Sequence, residues 1–201
     1  MLPDGASASV PWLQALSFEG LIFSCGFGAA NLEDTDVGTF GAGGIDFTEH
    51  DLLVTMPANT NLIVIPIYFK PIFEAIGTIA AVDVLLASGA GGVISNGLTS
   101  ATLVNTNMAS ANTTACTVGA LGDAGGTAFT PANYIYREGG THLTGVAGTG
   151  QTLMPEWSVL KSGVLHIVYG ASKQVAGFVS AQASTGYIHY IQAELPSNAV
   201  I

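Results

Sequence analysis

From residue 62 to residue 73 the chain reads Leu-Ile-Val-Ile-Pro-Ile-Tyr-Phe-Lys-Pro-Ile-Phe, an apolar ribbon with a single charge. Flanking breakers (Pro57, Asn59 and Asn61 before it, Gly77 after it) and β-branched residues make it a strand, not a helix. Successive strand residues point to opposite faces. Ile63, Ile65, Ile67, Phe69 and Phe73 then share one face, while Leu62, Val64, Tyr68 and Ile72 lie on the other. Both faces are apolar, so the strand has to be covered on both. In a sandwich, the second cover must come from an N-terminal arm or another subunit. Pro66 and Pro71 lack N–H donors, which places the ribbon at a sheet edge or around a bulge.

Strand patterns surround it. Residues 51–56 and 78–87 are short runs rich in Val, Ile and Leu. In the C-terminal third, residues 164–169, 175–181 and 187–195 read as three strands joined by turns at 170–173 and 184–186. The last alternates cleanly: Tyr187, His189, Ile191, Ala193 and Leu195 form one face and Gln192 and Glu194 the other, as in a half-buried antiparallel strand. Weaker strands fall at 98–105 and 134–137, with a long loop or inserted hairpin over 108–126 as a partner-facing tip. Residues 1–44 mix short apolar pieces (12–16, 21–23) with many glycines and show no sustained helical period, so they are expected to form an arm ordered on a neighbour. The expected organisation is an arm over 1–44 and one all-β domain over 45–201. That domain is an antiparallel β-sandwich of eight or nine strands, most simply a jelly roll.

The surface of such a domain is the second constraint. A folded monomer of this mass exposes roughly 8,800 Å², and only 4 basic and 14 acidic side chains are available to cover it. At 9% of residues this is far below the share of about 25% usual in soluble domains. Nineteen Thr, 14 Ser and 9 Asn could hydrate the exterior. The hydrophobic fraction of 49% favours the other solution, in which neighbouring chains bury it. No run of 18 predominantly apolar residues suits a membrane helix. Irregularly placed aromatics fit a membrane barrel poorly, and the start shows no basic-then-apolar leader. The net charge is −10, and the first 69 residues hold eight acids and no Lys or Arg, which disfavours nucleic acid as a partner. Cys25 and Cys116 stand alone, without metal or redox spacing, and are read as buried free thiols matured in a reducing compartment.

Motifs that could carry chemistry are incomplete. Gly145 to Thr152 has phosphate-loop spacing, but Gln151 stands where the essential Lys belongs. Acids at 33–36 and 46–51 could offer oxygens to Ca²⁺, without EF-hand spacing. His50, His142, His166 and His189 show no metal-ligand spacing. His50 and Asp51 are adjacent, and no nucleophile elbow accompanies them. No catalytic, cofactor-binding or metal-binding residue is assigned, and the chain is read as a non-enzyme. Tyr134, Tyr136 and Trp157 could form a sugar-binding platform, although a tryptophan in this setting belongs more naturally to the core.

An acidic opening, the runs at 51–57 and 62–73, and a close of 157–160, 163–169 and 187–196 in a Gly/Thr/Ala/Asn-rich chain resemble the jelly-roll virion proteins of tailed bacteriophages, particularly capsid decoration (cement) proteins. The resemblance lies in composition and strand order across residues 45–196. It implies a trimeric subunit made in the host cytoplasm that sits on the capsid surface, packs against the major capsid protein and braces the shell. A receptor- or carbohydrate-binding sandwich of a tail or spike fits the same pattern.

Overall fold

The computed structural model describes residues 11–27, 44–58, 62–75, 80–93, 102–119, 126–142, 155–181 and 185–196. The phosphate-loop-like stretch at 145–152 and the acids at 33–36 lie outside them.

The strands are β1 (Ile22–Phe27), β2 (Leu52–Thr55), β3 (Leu62–Ala75), β4 (Ala80–Ala90), β5 (Val104–Asn105), β6 (Thr117–Gly119), β7 (Thr130–His142), β8 (Trp157–Ser158), β9 (Val168–Tyr169), β10 (Gln174–Ala181) and β11 (Thr185–Pro196). Two short helices, α1 (Trp12–Phe18) and α2 (Val159–Ser162), complete the described elements. The strands form two antiparallel sheets, so the chain is an all-β sandwich. One runs β5-β1-β11-β3, with β8 and β9 sharing the far edge of β3, and the other runs β6-β2-β10-β4-β7. Pairing is nested in sequence: β1 meets β11, β2 meets β10, β3 meets β8 and β9, and β4 meets β7.

The main core lies between the sheets. Gly177 of β10 shows how tightly they meet, because a Cβ there would stand 2.8 Å from the Phe69 ring and 3.2 Å from Leu52. A smaller cluster of Leu53, Leu85, Ala87, Phe129, Ala176 and Phe178 covers the other face of the β2-β10-β4 sheet. Ile45 and Phe47 pack on it, and Gly44 and Phe47 tether the crossing segment through Ser180 Oγ and the Phe129 N–H.

Four expectations change. First, the stretch expected as an arm is partly sandwich: Ile22–Phe27 is a full strand between β11 and β5. Its glycines did not prevent this because Phe23 and Cys25 alternate into the core. Trp12–Phe18 is helical, since Leu13 and Leu16 sit three residues apart and pack on the main cluster. Second, Ile63, Val64, Ile65, Ile67 and Phe69 are all buried within the single chain, so no second subunit is needed to cover that part of the ribbon. Leu62, Tyr68 and Ile72 stay half-buried. Third, β11 faces the opposite way from the alternation. Tyr190 and Gln192 are 0% exposed and Glu194 5%, while His189 and Ile191 of the expected inner face are half-buried and only Ala193 of that face is 0% exposed. Glu194 is tolerated inside because it accepts from the Ala115 N–H at 2.8 Å, the Thr114 hydroxyl at 2.5 Å and Gln192 Nε2 at 2.8 Å, whereas Gln192 Oε1 and the Tyr190 hydroxyl are buried without a hydrogen-bond partner. Fourth, residues 164–169 are ladder-paired only at Val168–Tyr169.

The prolines behave as their chemistry requires. Pro66 adjoins a bulge, where the register with β11 shifts between Ile191 and Gln192. On the other edge of β3, Pro66 falls between the stretches paired with β9 and β8, and Pro71 beyond both.

Candidate interaction surface

Residues 155–169 form a strap that pairs with the edge of β3 in one sheet and bonds to β7 of the other. Three side chains anchor it: Trp157 (4% exposed), Val159 (6%) and Val168 (6%). α2 is one turn, capped by Ser158 Oγ, which accepts from the Lys161 N–H at 3.2 Å, and closed by Gly163 in the left-handed region at φ 67°. Glu156 joins the strap to β3 through Lys70 at 3.9 Å and holds Lys161 at 3.0 Å. These two lysines keep its carboxyl below the usual range, Lys161 contributing most through its hydrogen bond. Tyr136 of β7 accepts a hydrogen bond from the Glu156 backbone and donates its hydroxyl to Glu138. Asn133 of β7 lies 3.2 Å from the His166 ring nitrogen Nδ1, stitching the second half of the strap to the same strand.

Between these anchors the strap turns its apolar side chains outward. Leu160 is 73% exposed, Val164 52%, Leu165 46%, Ile167 50% and Tyr169 56%. Residues 163–167 belong to no ladder. Val164 and Leu165 are neighbours, so no extended conformation can turn both inward. That adjacency was the available sequence signal, and reading 164–169 as a uniform strand hid it. Next to the strap a groove of about 330 Å³ is lined by Ile67, Tyr68, Ser158, Leu160, His189 and Ile191. Its rings meet edge to face, Tyr68 and His189 at 5.4 Å between centroids. Burial, with Lys70 close by, holds the His189 ring below its ordinary pKa, so it remains neutral near pH 7.

Elsewhere the polar groups are engaged in holding the fold. His50 is fully buried against Phe129 and Phe178, with both ring nitrogens unpartnered, and burial lowers its pKa. The buried Asp51 carboxylate accepts the Val179 N–H at 2.6 Å, and burial raises its pKa well above the ordinary value. Cys25 and Cys116 are buried and unbridged, and burial pushes the Cys25 thiol up to about 12. Among the described residues, no group of three or more His, Cys, Asp or Glu is placed to hold a metal, and no helix is long and apolar enough to cross a membrane. The three aromatics considered as a platform are separated by environment: Tyr134 is exposed, Tyr136 half-buried and Trp157 in the core.

Searches against protein-family models, curated proteins and solved structures returned no match for this chain.

Proposed function

We propose that this chain is a virion structural protein of a tailed bacteriophage, a capsid decoration subunit that stabilises the shell by packing against neighbouring capsid proteins. Its sandwich is read as a jelly roll, a reading supported by the nested pairing of β1 with β11, β2 with β10, β3 with β8 and β9, and β4 with β7, to which β5 and β6 add at the outer edges of β1 and β2. The observation that carries the proposal is the outward-facing apolar strap at 160–169, on a chain with only 18 charged side chains. Surfaces of this kind mark sites that other proteins cover. Anchors at Trp157, Val159 and Val168 hold the strap in place, so its exposure does not follow from a loose segment.

Imaging particles made with and without the gene for this chain, together with mass spectrometry of the purified particles, tests the proposal. The expected result is a stoichiometric particle component whose loss removes surface density and lowers shell stability. A chain found only outside the particles contradicts it. The other reading, a receptor- or carbohydrate-binding sandwich of a tail or spike, draws on the exposed rings of Tyr134 and Tyr169. It predicts glycan binding that Tyr134→Ala abolishes. The burial of Trp157 removes the ring best suited to such a platform, which is why the structural reading is preferred.

A further inference from the structure

We infer that the strap at residues 160–169 is the contact between copies of this chain, and that its stretch at 165–167, which belongs to no ladder, adds to a β-ladder with a second copy. The inference rests on the structural reading above and names the partner of that surface.

Three observations converge on it. The first is area. From their fractional exposures, Leu160, Val164, Leu165, Ile167 and Tyr169 together leave on the order of 500 Å² of mainly apolar surface in water, near the upper end for the largest patch on a monomer. A stable interface takes about 800 Å² from each partner, so the patch supplies most of a central contact. The neighbouring groove and exposed Tyr134 could extend it.

The second is backbone chemistry. Val164, Ile167 and Val168 are β-branched, and the segment has strand composition, yet only Val168 and Tyr169 find a partner on β3. Residues 165–167 lead directly into that paired strand without a ladder of their own, whereas Gly163 and Val164 are engaged by the Val159 carbonyl and the Ser162 hydroxyl. An unpaired edge of this kind is the template on which an added strand assembles.

The third is charge, and it removes an obstacle to a second copy on this face. Two molecules of net charge −10 repel one another over most orientations. Residues 157–173 contain Lys161 and Lys173 and no acid. The nearest carboxylate, Glu156, is already paired with Lys70 and Lys161. Three of the four bases in the chain therefore lie in or beside the strap, which lowers the repulsion between two copies that approach there.

Light scattering on a sizing column, run on the full chain at micromolar concentration, tests this. Wild type is expected at a multiple of 20.4 kDa. The double variant Leu165→Glu/Ile167→Glu is expected at the single-chain mass with an unchanged far-ultraviolet spectrum. Phe18→Glu, an equally drastic change at a side chain 76% exposed on α1, should keep the multiple. If the double variant fails to fold, Leu165→Ser carries the same expectation with a milder change. Wild type at the single-chain mass overturns the inference, as does a folded variant that keeps the multiple. A single-chain wild type that still appears on particles overturns only this inference and leaves the structural role standing; absence from particles with strap-dependent oligomers does the reverse.

Discussion

His50 illustrates how a polar side chain can be enclosed by its neighbours without being used by them. Its ring lies between Phe129 and Phe178, with centroids 6.4 and 5.5 Å away, and its Nε2 would stand 2.9 Å from a Cβ on Gly92. Gly92 itself is clamped by Gln174, whose Oε1 accepts its N–H and whose Nε2 donates to its carbonyl. Burial lowers the pKa of His50 from 6.5, partly opposed by Asp46. The unfolded chain therefore takes up a proton that the folded ring refuses, and the folded state loses stability as pH falls through 6.5. Between pH 7.5 and 5.5 this costs at most about 1.4 kcal/mol. Thermal melts should show a smaller acid-induced loss for His50→Phe than for wild type over that interval; equal losses would contradict the assignment. Asp51 contributes with the opposite sign, since its raised pKa makes ionisation above 3.8 unfavourable in the fold, and the variant comparison separates the two. None of this was legible in the sequence. His50 and Asp51 are adjacent in the sequence, but in the structure one packs among rings and the other accepts the Val179 N–H.

At the scale of elements, β3 and β10 set the spacing of the sandwich. Gly177 is the position at which β10 lets Phe69 through, so a methyl group there has to displace a ring that is 0% exposed. Gly177→Ala is expected to lower unfolding stability by about 1–2 kcal/mol in denaturant titrations, the overpacking loss outweighing the reduced freedom of the unfolded chain. A neutral or stabilising result would mean that the sheets are less tightly apposed than described. The strands themselves were largely readable. Residues 52–55, 62–75, 80–90, 174–181 and 185–196 fall where breakers and β-branched runs place them, because strand existence depends on local pattern. Facing was not so readable. On β11 the side carrying Gln192 and Glu194 turned inward, where Thr114 and Ala115, some eighty positions away, supply hydrogen bonds to Glu194 and Glu194 in turn accepts from Gln192. The strand Ile22–Phe27 was masked by glycines whose flanking Phe23 and Cys25 pair against β11. Long-range partners of this kind leave no mark on the local sequence.

Over the whole molecule, scarcity of charge and exposed apolar surface turn out to be separate matters. The central ribbon, which looked unable to cover itself, is covered over Ile63 to Ile67 and at Phe69 by its own chain. The exposed remainder lies elsewhere, on the strap between α2 and β9, where the sequence had suggested an ordinary half-buried strand. Composition can show that a surface needs covering without showing where, because location depends on which strands find ladder partners. Hydrogen exchange at the backbone amides of residues 165–167 tests the central claim most directly, measured on dilute single chains and on the same chains in their assembled state. The account predicts fast exchange in the dilute chain and strong protection on assembly, while the buried strand at Leu52–Thr55 is protected in both. Fast exchange at 165–167 in both states would mean that no neighbouring chain covers the strap.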